Sequence, residues 1–175
     1  MALLGRSEIE RALTRLGQLA DEAALTLEFM AVGGVAMVLG FEARLSTHDV
    51  DAIILPPNEA ALVRQFAEVV ATELDWPIDW LNDGAKGYLT GQSRGVLLFE
   101  SRGIRVYRPA IEQLLAMKLS AWRDDIDITD AALLLRLLRE NRNRETIWSM
   151  VVPYIVPGRE LKAQFAIEDL WESEA

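Results

Sequence analysis

Asp49 and Asp51 stand one residue apart in the stretch HDVDAIIL. In an extended strand alternate side chains share a face, so the two carboxylates lie side by side while Val50 and Ala52 face the other way. Neighbouring carboxylates repel each other unless a cation stands between them. Mg²⁺, or Mn²⁺ in its place, suits such a pair, because it takes one or two carboxylates and completes its octahedron with phosphate oxygens and water. A second ion would divide the labour, one at the attacking oxygen and the other at the leaving phosphate. The plainer alternative is a solvated strand end.

Gly33 and Gly34 precede this pair, at the end of the apolar run LTLEFMAV and ahead of VAMVLG. A Gly-Gly turn between a strand and a helix lets backbone N–H groups approach a phosphate, with the helix N-terminus directed at the anion. The order strand, glycine turn, helix, acidic strand brings a phosphate cradle and a metal pair to one edge of one sheet. Asp79, between Ile78 and Trp80, offers a third carboxylate that would ligate metal or accept a proton from an acceptor hydroxyl. Asp83 competes for that role, with a turn or cap as its simpler reading. His48 faces away from the aspartates and reads as a connector.

Several chemistries are closed to this chain. Its 175 residues contain no cysteine and one histidine, which rules out thiolate catalysis, sulfur-ligated zinc and histidine-rich metal sites. No apolar run approaches the roughly 20 residues of a membrane span, and the N-terminus lacks a signal-peptide pattern. A cytoplasmic protein is expected. The formal charge of −9 opposes a grip on DNA phosphates but allows nucleotide binding through a metal. The cluster Arg136, Arg139, Arg142 and Arg144 is an exception: it reads as a solvated helix end, with contact to nucleic acid or an acidic partner as the alternative.

The elements that must position these residues follow from periodicity. Ser7 with Glu10 forms a capping-box pattern for a helix to about Ala24, with Ile9, Leu13, Leu16, Leu19 and Ala20 on its apolar face. LTLEFMAV and VDAIIL read as strands, the second closed by Pro56-Pro57. Asn58 is placed to cap a helix whose buried stripe is Leu62, Phe66, Val69 and Val70. WPIDWLN reads as a short strand, and VLLFES with IRVYRP as a hairpin. Beyond Pro109 the chain is helical. An α+β fold is expected, with a small mixed sheet and its helices over residues 1–108 and a helical half over 109–175 packed on it.

Hydrophobic-Gly-Gly, a spacer, Asp-hydrophobic-Asp, and a later hydrophobic-Asp-hydrophobic resemble the DNA polymerase β-like nucleotidyltransferase superfamily. Within it, GGVAMVLGFEARLSTHDVDAI, WLNDGAKGYL and LLAMKLSAWRDDIDITDAALLL resemble the AbiEii-type and related uncharacterised bacterial enzymes of toxin–antitoxin systems. The resemblance implies the nucleotidyltransferase fold and a triphosphate held by Gly33 and Gly34. It implies metal on Asp49 and Asp51, with Asp79 as third acid. Arg44 and Thr47 match the basic and hydroxyl residues ahead of the acidic pair. Lys118 and Arg123 match basic helix positions at the nucleotide, and Asp127 and Asp130 match the acids that position them.

The activity this implies is metal-dependent transfer of a nucleoside monophosphate from a nucleoside triphosphate to a hydroxyl, on RNA or protein, with a cognate toxin or antitoxin as a further partner. The alternative is a catalytically weak nucleotide-sensing or partner-binding module. Gly34 stands where many relatives have serine, which motivates that alternative. Trp122, Trp148 and Trp171 are either core residues or anchors of a homo-oligomer.

Overall fold

The computed structural model describes residues 3–55, 59–93, 95–123 and 125–173. Pro56, Pro57 and Asn58, read above as a strand stop and a helix cap, lie outside the described residues. The chain divides into two compact units, Met1–Lys86 with Gly95–Arg108, and Gly87–Arg94 with Pro109–Ala175. The fold is α+β, with seven α-helices, a mixed five-stranded sheet and a two-stranded one among the described residues. No helix among them is long and apolar enough to cross a membrane.

In the first unit the elements run β1 (Leu4–Gly5), α1 (Arg6–Glu22), β2 (Leu27–Ala31), α2 (Gly33–Phe41), β3 (Ser46–Thr47), β4 (Val50–Leu55), α3 (Ala60–Leu74), β5 (Leu81–Asn82), β6 (Val96–Ser101) and β7 (Ile104–Arg108). The large sheet has the order β5-β4-β2-β7-β6, and β1 pairs antiparallel with β3. β2 lies between antiparallel β4 and parallel β7, while β5 runs parallel to β4. Strand alternation buries Leu27, Phe29, Ala31, Val50, Ala52, Ile104 and Val106 in one core with α1 and α3. Asp51 therefore belongs to the opposite set of β4 side chains.

Three local expectations are corrected. Helix α1 begins at Arg6 on an N-cap Gly5 without a side-chain cap, and Ser7 Oγ lies 3.1 Å from Glu8 Oε2 instead of closing a box with Glu10. The pairing of Gly5 with Ser46 sets the chain's entry, so the helix starts earlier than the Ser-x-x-Glu spacing implied. The buried stripe of α3 is Val63, Ala67, Val70 and Ala71; Leu62 and Phe66 are half-buried and Val69 is exposed. Both stripes are apolar, and the smaller one is chosen where the helix meets the buried indole of Trp80, whose Nε1 donates to Ala67 O at 3.0 Å. The expected strand over WPIDWLN shrinks to Leu81–Asn82, with Ile78 and Asp79 exposed in a turn.

In the second unit α4 (Ile111–Ala121) is buried almost all round, and α5 (Asp125–Arg139), α6 (Arg144–Val151) and α7 (Glu160–Ser173) pack on it. Buried Gln113 spends its amide on the chain at residues 90–93, donating to Thr90 O at 2.9 Å and accepting from Ser93 N at 3.0 Å. Pro153 ends α6 in a 3-10 turn, Val152–Tyr154.

Trp80 ties β5 to α3 and packs edge-on against Trp76, with ring centroids 5.6 Å apart. Replacing Trp80 by alanine is expected to cost about 3–5 kcal/mol by chemical denaturation. A loss below about 1 kcal/mol would contradict the packing described.

Candidate functional site

Helix α2 starts directly at the two glycines, with Val32 as an N-cap that supplies no side-chain hydrogen bond. The first-turn N–H groups have no partner within the helix, which makes this end favourable for an anion. At the other end, Arg6 donates to Leu39 O at 2.7 Å and Val38 O at 3.3 Å, holding the last turn of α2 to the start of α1. The helix carries no charged residue, and its middle, Val35–Leu39, is buried.

Both glycines are required by their neighbours. Gly33 has φ +60°, and a methyl group there would stand 2.9 Å from Asp51 Oδ2. At Gly34 the side-chain space is filled by the Thr47 hydroxyl, with Arg44 Nη1 3.4 Å from where a Cβ would be. Thr47 is buried on β3, so its hydroxyl is pinned against the helix start. A serine at position 34 would collide with that hydroxyl, which gives a physical reason for the second glycine. The structure thus brings together Gly33, Gly34, Arg44, Thr47 and Asp51.

Asp49 joins the group through a residue that sequence reasoning missed. In the parallel register Asp51 lies opposite Asn82, whose Nδ2 donates to Asp49 Oδ2 at 2.8 Å. Asn82 Oδ1 in turn accepts from Gly84 N at 2.8 Å, which orients the amide with its NH₂ toward Asp49. A methyl group at Gly84 would lie 3.6 Å from Asp51 Oδ1, so this glycine borders the pair as well. The signal available in sequence was the segment WLNDG itself. Asparagine carries no charge, so nothing in that segment marks it out beside Asp79 and Asp83.

Asp79 is not brought into the cluster by its side chain. It is exposed in the turn before β5, and its backbone carbonyl lies 3.4 Å from Asn82 Nδ2. Asp79, Asp83 and Asn82 instead line a cleft of about 260 Å³ floored by Ala52, Ile54, Val63 and Ala67. His48 is exposed in the bend before β4.

Lys118, Arg123, Asp127 and Asp130 meet one another in the second unit. Lys118 Nζ lies 2.8 Å from Asp127 Oδ1 and 2.7 Å from Asp130 Oδ2, with all three side chains buried. Arg123 Nε donates to Asp127 Oδ2 at 3.0 Å, and its guanidinium lies 5.8 Å from the centre of the Tyr88 ring. Burial alone would raise the Asp127 carboxyl, but hydrogen bonds from Lys118 and Arg123 outweigh it and hold the group below the usual aspartate range. Nearby, Arg142 donates to Leu138 O at 3.0 Å, Arg144 reaches Glu145 and Glu168, and Arg139 lies over Trp171.

The chemistry of two carboxylates suits Mg²⁺, and Asp49 and Asp51 are the residues that would hold it, with phosphate and water as its other ligands. No cluster of three or more acidic or histidine ligands occurs among the described residues.

A small mixed sheet with an acidic strand beside a glycine-initiated helix, followed by a helical C-terminal half, is compatible with the nucleotidyltransferase fold. The chain belongs to the family described as "Nucleotidyltransferase of unknown function (DUF6036)", which it matches over residues 11–140. No curated protein and no solved structure matches it.

Removing Lys118 would leave two buried carboxylates facing each other, so Lys118→Ala is expected to cost about 3–5 kcal/mol. The Asp127 contribution carries an acid signature. Its folded pKa is depressed, so the stability is complete above the unfolded value of about 3.9 and is lost as pH falls through the folded value. Melting curves of the native chain and Asp127→Asn across that range should converge toward acid; parallel curves would contradict the ion pair.

Proposed function

We propose that the chain transfers a nucleoside monophosphate from a nucleoside triphosphate to a hydroxyl acceptor. The observation that carries this reading is the contact between Gly33 and Asp51, which sets an anion-binding helix terminus directly against the acidic pair. Gly33 and Gly34 offer N–H groups to the phosphates, while Arg44 and Thr47 border the same turn. Asp49 and Asp51 are the ligands for Mg²⁺ or Mn²⁺, which when bound supplies charge neutralisation at the phosphates.

In the reaction the acceptor oxygen bonds to the α-phosphorus as the bond from that phosphorus to the bridging oxygen of the β-phosphate breaks. Pyrophosphate departs with the electron pair, and the acceptor proton passes to a base. Asp79 is the proposed base on the strength of the resemblance; its side chain stands in the turn ahead of Asn82. The protein contributes mainly positioning and electrostatics.

Lys118 and Arg123 were expected at the nucleotide. With Lys118 held by two carboxylates and Arg123 paired with Asp127, we assign both to organising the helical unit. A charge of −9 and arginines engaged with the chain's own groups favour a protein or small hydroxyl acceptor over RNA. The toxin–antitoxin association, with its partner protein, rests on sequence resemblance, and the cytoplasmic setting on the sequence's lack of a membrane-span or signal-peptide pattern. A second reading, a nucleotide sensor with little turnover, is favoured by one observation: the residue opposite Asp51 is a neutral amide.

Transfer from α-labelled triphosphates to cellular protein and total RNA, with Mg²⁺ or Mn²⁺, tests the reading. Label should move with the native chain and fall by roughly two orders of magnitude or more in Asp51→Ala. Gly33→Ala should lose as much, since its methyl group meets both a left-handed φ and Asp51. Triphosphate binding without label transfer would favour the sensor, and no binding would overturn both readings.

A further inference from the structure

Asn82 occupies the one position on β5 that faces the acidic pair in register, and what it presents there is a hydrogen-bond donor. Its Oδ1 accepts from Gly84 N at 2.8 Å, so the NH₂ is turned to Asp49 Oδ2, also at 2.8 Å. The pairing of Asp51 with Asn82 and of Val50 with Leu81 fixes the side chain's origin. The backbone of β5 is held in turn by Val50 N donating to Trp80 O at 2.6 Å. The amide is therefore not a loose surface group that happens to touch the site.

This arrangement has two consequences. A hydrogen bond to one Asp49 oxygen restricts rotation of that carboxylate, as partners behind metal ligands do. The amide hydrogens also place partial positive charge where a second cation would need an oxygen ligand. A carboxylate here could bridge two ions, whereas a donor cannot.

On these grounds, and resting on the nucleotidyl-transfer reading, we infer that Asn82 is a positioning residue for Asp49 and restricts the site to a single divalent cation, the one that accompanies the triphosphate. The chain works, or senses nucleotide, as a one-cation site. Asp49 and Asp51 hold that cation, and the amide of Asn82 fills the place of a further ligand.

The test counts Mn²⁺ by electron paramagnetic resonance on the full chain, titrated with a nucleoside triphosphate analogue whose α–β bridge resists cleavage. Ions remaining on the Asp49→Ala, Asp51→Ala double variant are subtracted as background. The native chain should hold one ion per chain with the analogue, and Asn82→Asp should hold two. Asn82→Ala should weaken Mn²⁺ binding about tenfold or more in the presence of analogue, with a melting temperature close to native. Should Asn82→Asp fail to fold, the native count and the alanine variant still decide.

Two site-specific ions on the native chain, or native-like binding by Asn82→Ala, would overturn the inference and leave the transfer reading standing. A native count unchanged in a folded Asn82→Asp would overturn it too. No analogue bound to the native chain would overturn the transfer reading and this inference together.

Discussion

The acidic end of the sheet depends on one close approach: the first turn of α2 against the Asp51 carboxylate. A helix can begin there only if its first residue accepts φ +60° and presents no side chain toward Asp51, and Gly33 satisfies both conditions. Gly34 extends the same constraint to Thr47, whose buried hydroxyl fills the space a Cβ would take. The rest of the first unit makes that approach possible. Arg6 fixes the far end of α2, β1 fixes Thr47 through β3, and β2 carries the chain to the turn beside β4. The region thereby combines helix-end N–H groups and two carboxylates, opposite charges that a metal-bound triphosphate would reconcile.

The helical unit is organised by a different interaction. A lysine and two aspartates, all nearly withdrawn from water, form a network whose members each need the others. Such a network adds little net stability compared with an apolar replacement, but losing one partner is costly. It also specifies how α4 and α5 register, since Lys118 must meet carboxylates one turn apart on the facing helix. Arg123, paired with Asp127 and lying over Tyr88, closes the exposed edge of this network.

Much of this was legible in the chain. Strands β2 and β4, the β6–β7 hairpin and the four C-terminal helices follow from apolar periodicity, which reports burial on one face. The glycine turn and the Asp-Val-Asp pair could be placed together because strand order puts them at one edge. Other features depend on contacts between distant segments, to which a linear pattern is blind. Ser7 has the spacing of a cap, but β1–β3 pairing starts the helix two residues earlier. Helix α3 had two apolar stripes, and only the Trp80 indole distinguishes them. Asp79 drew attention by its charge, although the parallel register sets Asn82 beside Asp51. A strand of two residues has too little alternation to reveal that register in advance.

The central claim is that the glycine turn and the acidic pair form one site for a metal-bound triphosphate. Its most direct test is nuclear magnetic resonance of the ¹⁵N-labelled chain with Mn²⁺ and a non-hydrolysable triphosphate. Paramagnetic broadening centred on the Gly33, Gly34 and Gly84 amides and the Asn82 side-chain NH₂ is the predicted result. Broadening centred elsewhere, with these signals left sharp, would contradict the account.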